Sequence, residues 1–183
     1  MISQHAQAGF EHVFKQGLQS SLSPGADDRC DITDVPNTDE ASSVQVVMLT
    51  ISSFLFRLIV LVHFSSNEAT REHFARINGK QLEQMDDQGF QDAIRESGNI
   101  CCGALNRDLL PHFPHMGLST PNILHRNSAD HLAALKSGFI RHVRVVVNDA
   151  VTFYATLCVC ENGTLDFQVD VNAQEVTGEL ELF

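Results

Sequence analysis

Hydrophobic and polar positions along the first third of the chain predict a helix, a loop and two strands. Apolar residues recur at helical spacing and predict an amphipathic helix over residues 4–22. Residues 23–42 are rich in Pro, Gly and acidic residues, which predicts a loop that wraps the domain. Two strands are expected next, over residues 44–52 and 54–64. The second is apolar almost throughout, so we expect it to be covered on both faces.

The middle of the chain has the pattern of a short helix followed by a long one. The pattern over residues 67–77 predicts the short helix, with Asn67 as its N-cap. The long helix is expected from about Met85 to Leu110, because Pro111 cannot continue it. Residues 111–137 are less regular, with one or two helical turns expected near their end, over 129–136.

Three further runs with strand-like alternation close the chain. They span residues 139–147, 151–160 and 165–171. A pair of strands, then helices, then antiparallel strands joined by tight turns indicates an α+β fold with a mostly antiparallel sheet. We expect one domain over residues 1–183, with a helix and a loop in 1–40 and the core in 41–183.

Polar groups that could do chemistry lie along one side of the long helix. At roughly 100° per residue they fall within a stripe about 80° wide. They are Asp92, Glu96, Asn99, Gly103 and Asn106. The opposite side carries a core-facing stripe of Phe90, Ile94, Cys101 and Leu105. Asn and Gly inside a helix each cost roughly 0.5–1 kcal/mol relative to Ala, so helix propensity does not explain their presence.

The spacing Glu96-x-x-Asn99-x-x-x-Gly103, with Asp92 upstream and Pro121 downstream, resembles the signature of the CheC/CheX chemotaxis phosphatase superfamily. We find one copy of this signature. That number is typical of the CheX type, whereas CheC proteins usually carry two copies. The sequence therefore resembles the CheX type more closely.

The resemblance extends beyond the signature. Residues 117–124 resemble the segment that follows the signature helix in this superfamily, and the similarity in motif and element order covers roughly residues 40–175. One departure is Ala104, where the family often has Asn. The resemblance implies a CheC/CheX-like layered fold, in which the sheet packs against a long signature helix.

The resemblance also implies an activity, which is hydrolysis of the aspartyl phosphate of a CheY-like response regulator. The regulator would itself hold Mg²⁺ and a Lys against the phosphoryl group, so this chain needs no cofactor of its own. What remains is to place a water in line with the breaking bond. A carboxamide can accept a hydrogen bond from that water and donate one to a phosphoryl oxygen, which makes Asn99 the candidate.

The other residues of the stripe are candidates for contact with the partner. The resemblance implies that Glu96 pairs with the active-site Lys of the regulator. Gly103 would let loops of the partner approach the helix closely, because it has no side chain. Asp92 and Asn106 lie at the two ends of the stripe along the helix and are further partner-binding candidates.

Two alternatives remain open for the stripe. Glu96 could be an ordinary solvated residue, and Asn99 could bond to a neighbouring loop. The chain could also be a non-catalytic binding module of the same superfamily, as in the flagellar switch, which recognises a regulator or another protein. The intact pair of Glu96 and Asn99 favours the phosphatase.

Charge and hydropathy exclude several other classes of function. The formal net charge is −11, which argues against binding to nucleic acid or to anionic lipid. The longest apolar run, 54–64, is about half a membrane span and contains Arg57 and His63. The N-terminus lacks the basic-then-apolar order of a signal peptide. We therefore expect a cytoplasmic protein.

The cysteines and histidines give only weak indications of a metal site. Cys101, Cys102, Cys158 and Cys160 lie in apolar surroundings and are expected to be buried, reduced thiols. Cys158 and Cys160 would share a strand face, so a metal pair is a less favoured alternative. His112 and His115 are separated by a proline-broken segment and lack further ligands nearby in sequence. We expect no metal site in this chain.

The resemblance finally implies a homodimer, because CheX-type dimers continue a sheet across two subunits. The apolar runs 143–147 and 151–159 are compatible either with pairing at a sheet edge or with burial inside the sheet.

Overall fold

The computed structural model describes residues 1–169 of the chain. The helices are α1 (Gln4–Leu22), α2 (Glu68–Ile77) and α3 (Asp87–Leu109), and 3-10 segments span Leu82–Gln84 and Arg126–Leu135. The strands are β1 (Cys30–Val35), β2 (Gln45–Ser52), β3 (Phe56–Phe64), β4 (Gly117–Leu118), β5 (Asn122–His125), β6 (Phe139–Val147) and β7 (Val151–Glu161).

The strands form one antiparallel sheet with the order β1-β6-β7-β3-β2-β4, and β5 also pairs with β2. This confirms the predicted α+β class with its mostly antiparallel sheet. Strands β6 and β7 are each paired on both sides. Their apolar sequences therefore serve burial, and neither strand provides an edge.

Helices α1 and α3 cover one face of the sheet, here called the inner face. They pack against each other and bury a continuous hydrophobic core with alternate residues of the strands. Fully buried members include Phe10 and Phe14 of α1, Ile94 and Leu105 of α3, and Leu58 of β3. Burial of each such side chain stabilises the fold by roughly 1.5–3 kcal/mol relative to exposure.

The opposite face of the sheet, here called the outer face, carries a second and smaller apolar cluster. The 3-10 segment Arg126–Leu135 covers it with Ala129 and Leu132. The buried members are Val46, Ile59, Leu61 and Cys158. Strand β3 is thus covered on both faces, as predicted from its continuous apolar sequence.

The helix boundaries follow from capping side chains. Asp86 accepts a hydrogen bond from the Gly89 amide at 2.7 Å, so α3 begins at Asp87 rather than at the predicted Met85. Asn67 caps α2 in the same way, as predicted. Helix α1 occupies the predicted residues.

Residues 30–35 form strand β1, so the prediction of a continuous loop over 23–42 is wrong there. Ile32 packs against the inner core, and Asp34 forms an ion pair with Lys15 of α1 at 2.8 Å. Asp31 and Asp34, two of the acidic residues that indicated a loop, lie instead on an edge strand, where charge limits unwanted pairing with other chains.

The prediction of a strand over 165–171 is also wrong for the residues that the structure describes. Leu165 forms an isolated parallel bridge with Ile2, and residues 166–169 are not in a strand. The Leu165 amide donates to Met1, and the Ser3 amide donates to Leu165. This segment therefore pairs with the N-terminus rather than with the sheet. Residues 170 and 171 lie outside the described part of the chain.

Within residues 1–169, no helix combines the length and the apolar character needed to cross a bilayer.

Candidate functional site

Helix α3 is held tightly on the inner face of the sheet by close approaches at two glycines. A Cβ atom on Gly98 would lie 2.6 Å from Cδ1 of Leu49 in β2. A Cβ atom on Gly17 of α1 would lie 2.8 Å from the carbonyl oxygen of Cys101. The Ser97 hydroxyl also donates to a backbone carbonyl of α1 at 3.1 Å. These contacts explain Gly98 by packing, and they fix the orientation of the outward side of α3.

The outward side of α3 presents Glu96 and Asn99 next to each other. Both residues are exposed, and Nδ2 of Asn99 donates to Oε2 of Glu96 at 3.4 Å. This distance is at the long end of the hydrogen-bond range, so the contact is weak and leaves both groups able to meet another molecule. The structure therefore brings the two predicted residues together at the surface.

Gly103 lies one turn further along the same side. It is exposed, and a Cβ atom built on it would have no heavy atom within 4 Å. Unlike Gly98 and Gly17, it is not required by packing within residues 1–169. The open space in front of it adjoins the pair of Glu96 and Asn99.

Asp92 and Asn106, at the two ends of the predicted stripe, have different surroundings. The exposed Asp92 carboxylate accepts hydrogen bonds from Gln88 at 2.8 Å and from Arg95 at 2.9 Å. Asn106 is half-buried, and its Oδ1 is buried without a hydrogen-bond partner among residues 1–169. The stripe that faces solvent freely is therefore Glu96, Asn99 and Gly103.

Ile100, which directly follows Asn99, is an exposed aliphatic residue that was not predicted as part of the site. Its side chain is 45% exposed, although a large aliphatic group gains from burial. The signal in the sequence was an apolar residue at about 100° from Asn99, outside the core-facing stripe. Ile100 adds an apolar contact surface beside the polar pair.

The two thiols of α3 are unsuited to act as nucleophiles. Cys101 and Cys102 are fully buried, as predicted. Burial raises the pKa of Cys102 to about 12 and raises that of Cys101 as well. Since the thiolate is the reactive form, neither thiol is activated. The chemistry that this helix can offer comes from the exposed carboxylate and amide.

Neither the pair of Cys158 and Cys160 nor the segment with His112 and His115 belongs to a group of metal ligands in the described part of the chain. Cys158 and Cys160 have their sulfurs 4.0 Å apart, and Cys160 is only half-buried, contrary to the prediction. The ring of His112 packs 5.1 Å from that of Phe167. Within residues 1–169, no group of three or more His, Cys, Asp or Glu side chains is placed to hold a metal ion.

Pro121 lies between β4 and β5, two short strands that were not predicted from the sequence. Both strands pair with β2, the strand against which Gly98 packs. Proline lacks an amide donor and is tolerated at a sheet edge such as this one. The segment thus completes the edge of the sheet beyond β2.

Three solved structures show a similar arrangement of elements. A CheC-like superfamily protein from Shewanella sp. PV-4 matches with a TM-score of 0.58 and 12% identity, over 82% of this chain and 97% of its own. CheX from Borrelia burgdorferi, in a complex with CheY, BeF₃ and Mg²⁺, matches with a TM-score of 0.58 and 12% identity, over 83% and 96%. The chemotaxis protein CheX from Vibrio vulnificus matches with a TM-score of 0.57 and 13% identity, over 82% and 96%.

No protein-family model and no curated protein matches the sequence. At 12–13% identity, the likeness to the solved structures establishes a shared fold. A shared fold does not determine function, which depends on the residues of the site.

Proposed function

We propose that this chain, which has the fold of the CheC and CheX chemotaxis proteins, is a phosphatase that hydrolyses the aspartyl phosphate of a CheY-like response regulator. The observation that carries the proposal is the exposed pair of Glu96 and Asn99 on the rigidly held helix α3. The CheX of Borrelia burgdorferi, whose structure has a similar fold, is in a complex with CheY.

Asn99 is the proposed catalytic residue. Its carboxamide oxygen would accept a hydrogen bond from the attacking water, and its amide would donate to a phosphoryl oxygen. No strong base is needed, because the transition state of phosphoryl transfer is loose and the gain comes from placing the water in line. The Mg²⁺ that neutralises the phosphoryl oxygens would belong to the regulator, and this chain would contribute no cofactor.

Glu96 is proposed to set the register of docking through an ion pair with the active-site Lys of the regulator. The weak contact between Glu96 and Asn99 is easily exchanged for contacts with the partner. Gly103 would admit a loop of the regulator, with Asp92 and Asn106 at the margins of the contact. Ile100 would supply an apolar contact at the same surface.

The deciding experiment measures loss of phosphate from a panel of receiver domains that have been phosphorylated with a small-molecule donor. We expect the chain to accelerate dephosphorylation of at least one receiver. In Asn99→Ala, the acceleration should fall by about 100-fold or more, since positioning effects reach this size, while binding to the receiver persists. Gln19→Ala, which removes an exposed carboxamide from α1, is the matched control and should leave the rate unchanged.

A non-catalytic binding module is the alternative function, and the same experiment separates the two. Binding to a receiver without any acceleration of phosphate loss would favour the module. An unchanged rate in Asn99→Ala would show that this amide does not position the water.

We further propose that the chain acts in the cytoplasm, where response regulators are found, and that it forms a homodimer, as the resemblance to CheX implies. Light scattering is expected to give twice the mass of one chain. A mass of one chain across the accessible concentration range would contradict the dimer, without affecting the proposed chemistry of Asn99.

A further inference from the structure

A polar pocket opens on the outer face of the sheet, on the side opposite to α3. Its volume is about 400 Å³, which lies in the range of small-molecule sites. The floor consists of three residues in register across neighbouring strands. They are His63 of β3, Tyr154 of β7 and Arg144 of β6. Residues 40–43, which lead into β2, form one wall.

The pocket contains a buried side chain with an unused polar atom. His63 is 2% exposed, and its Nε2 has no hydrogen-bond partner among residues 1–169. The Nδ1 of the same ring lies 3.5 Å from the hydroxyl of Ser43, which is also buried. An unsatisfied polar atom in such a place is unfavourable, because burial removes its hydrogen bonds to water without replacing them. A ligand in the pocket would supply the missing hydrogen bond.

The wall of the pocket is held in place by hydrogen bonds from Arg126 and from Tyr154. Arg126 donates to the carbonyl of Ala41 at 2.7 Å and to that of Asp39 at 3.3 Å. The Tyr154 hydroxyl donates to the Glu40 carboxylate at 3.1 Å. The site is therefore preformed, and binding would require little ordering of the chain.

The pocket presents one guanidinium that can hold an anionic group. Two charged side chains line the pocket, Arg144 and Glu40, and both interact with the hydroxyl of Tyr154. Burial and the nearby Arg126 hold the pKa of His63 down at about 4, so the ring is neutral at pH 7. The guanidinium of Arg144 is thus the cationic group in the lining, and such a planar group suits a carboxylate or a phosphate.

We propose that this pocket binds a small anion bearing a carboxylate or phosphate group, which is held by Arg144 while another polar atom of the ligand bonds to His63. The site is separate from the Glu96 and Asn99 pair, because the sheet lies between them. The proposal therefore does not depend on the phosphatase activity.

A titration of the full chain, followed by amide resonances, tests the proposal with two probes, sodium phosphate and sodium citrate. Ionic strength is held constant with sodium chloride. We expect saturable shifts at Ala41, Ser43, His63 and Tyr154 with at least one probe, and none at Asn99. A response to phosphate alone or to citrate alone identifies which anionic group the site prefers.

Arg144→Gln should weaken the binding by about tenfold or more, because it removes a charge-assisted contact. Arg57→Gln is the matched control, since Arg57 is an exposed arginine on the same face at the other end of β3. Its affinity should equal that of the natural chain. Absence of saturable shifts with both probes, or equal affinity in Arg144→Gln, would overturn the proposal.

Discussion

At the scale of single residues, two helical glycines are expected to respond to alanine in opposite directions. Ala is favoured over Gly inside a helix by about 1 kcal/mol. At Gly103 a Cβ atom meets nothing, so Gly103→Ala should raise the free energy of unfolding by about that amount. At Gly17 it would meet the carbonyl oxygen of Cys101, and overpacking of about 1–3 kcal/mol should outweigh the gain. Urea denaturation measures both changes, and a stabilising Gly17→Ala would contradict the close helix contact.

Gly103 also allows a test of docking that leaves the fold intact. A bulky side chain in Gly103→Leu should project into open space and obstruct an approaching receiver. We expect its kcat/KM for receiver dephosphorylation to fall by about tenfold or more, a loss of about 1.4 kcal/mol in transition-state stabilisation. The unfolding transition should not move to lower urea concentration, because Leu is favoured over Gly inside a helix. An undiminished rate would mean that the partner does not approach this part of α3.

The surface position of Glu96 and Asn99 could be predicted from the sequence, because helical periodicity fixes which residues share a side. The roles of Gly98 and Asn106 could not. Gly98 is explained by a strand about fifty residues away, and the half-burial of Asn106 depends on tertiary packing that the helical period does not contain. Periodicity gives the direction of a side chain but does not identify what lies in front of it.

At the scale of elements, β1 gives the clearest test. Pairing with β6 predicts that backbone amides of Cys30–Val35 directed toward β6 exchange slowly with solvent. A loop over 23–42 would leave all these amides in fast exchange. Hydrogen exchange followed by nuclear magnetic resonance distinguishes the two, and the interior strand β7 provides the reference for slow exchange.

The long elements were predictable and the short edge strands were not. Helices α1 and α3 and strands β3, β6 and β7 have strong periodicity or long apolar runs. Strand β1 carries acidic residues, and β4 and β5 have two and four residues around Pro121. Such strands exist because a neighbouring strand supplies their hydrogen-bond partners, which local sequence does not reveal.

At the scale of the whole molecule, two buried histidines are expected to make the fold sensitive to acid. Burial holds the pKa of His63 and of His73 at about 4, whereas an unfolded histidine titrates near 6.5. Between pH 6.5 and 4, the unfolded chain binds protons that the folded chain does not. The free energy of unfolding should therefore fall as the pH falls through this range, by up to about 3 kcal/mol for each histidine.

Denaturation measured at a series of pH values between 4 and 7 checks this expectation. Replacement of either histidine in His63→Gln or His73→Gln should flatten the pH dependence. His5→Gln, at an exposed position, is the control and should leave the slope as it is. If neither His63→Gln nor His73→Gln changed the slope of stability against pH, the acid sensitivity would lie elsewhere in the chain.

The close contacts at Gly17 and Gly98 have a consequence for recognition. A helix that lies this near to its neighbours has little freedom to slide or to rotate, so it acts as a template of fixed shape. A protein that binds to this helix must then adjust its own conformation to fit. The loop conformations of related partners would therefore decide which of them bind. A substitution that loosens the packing of this helix should broaden the range of proteins that bind.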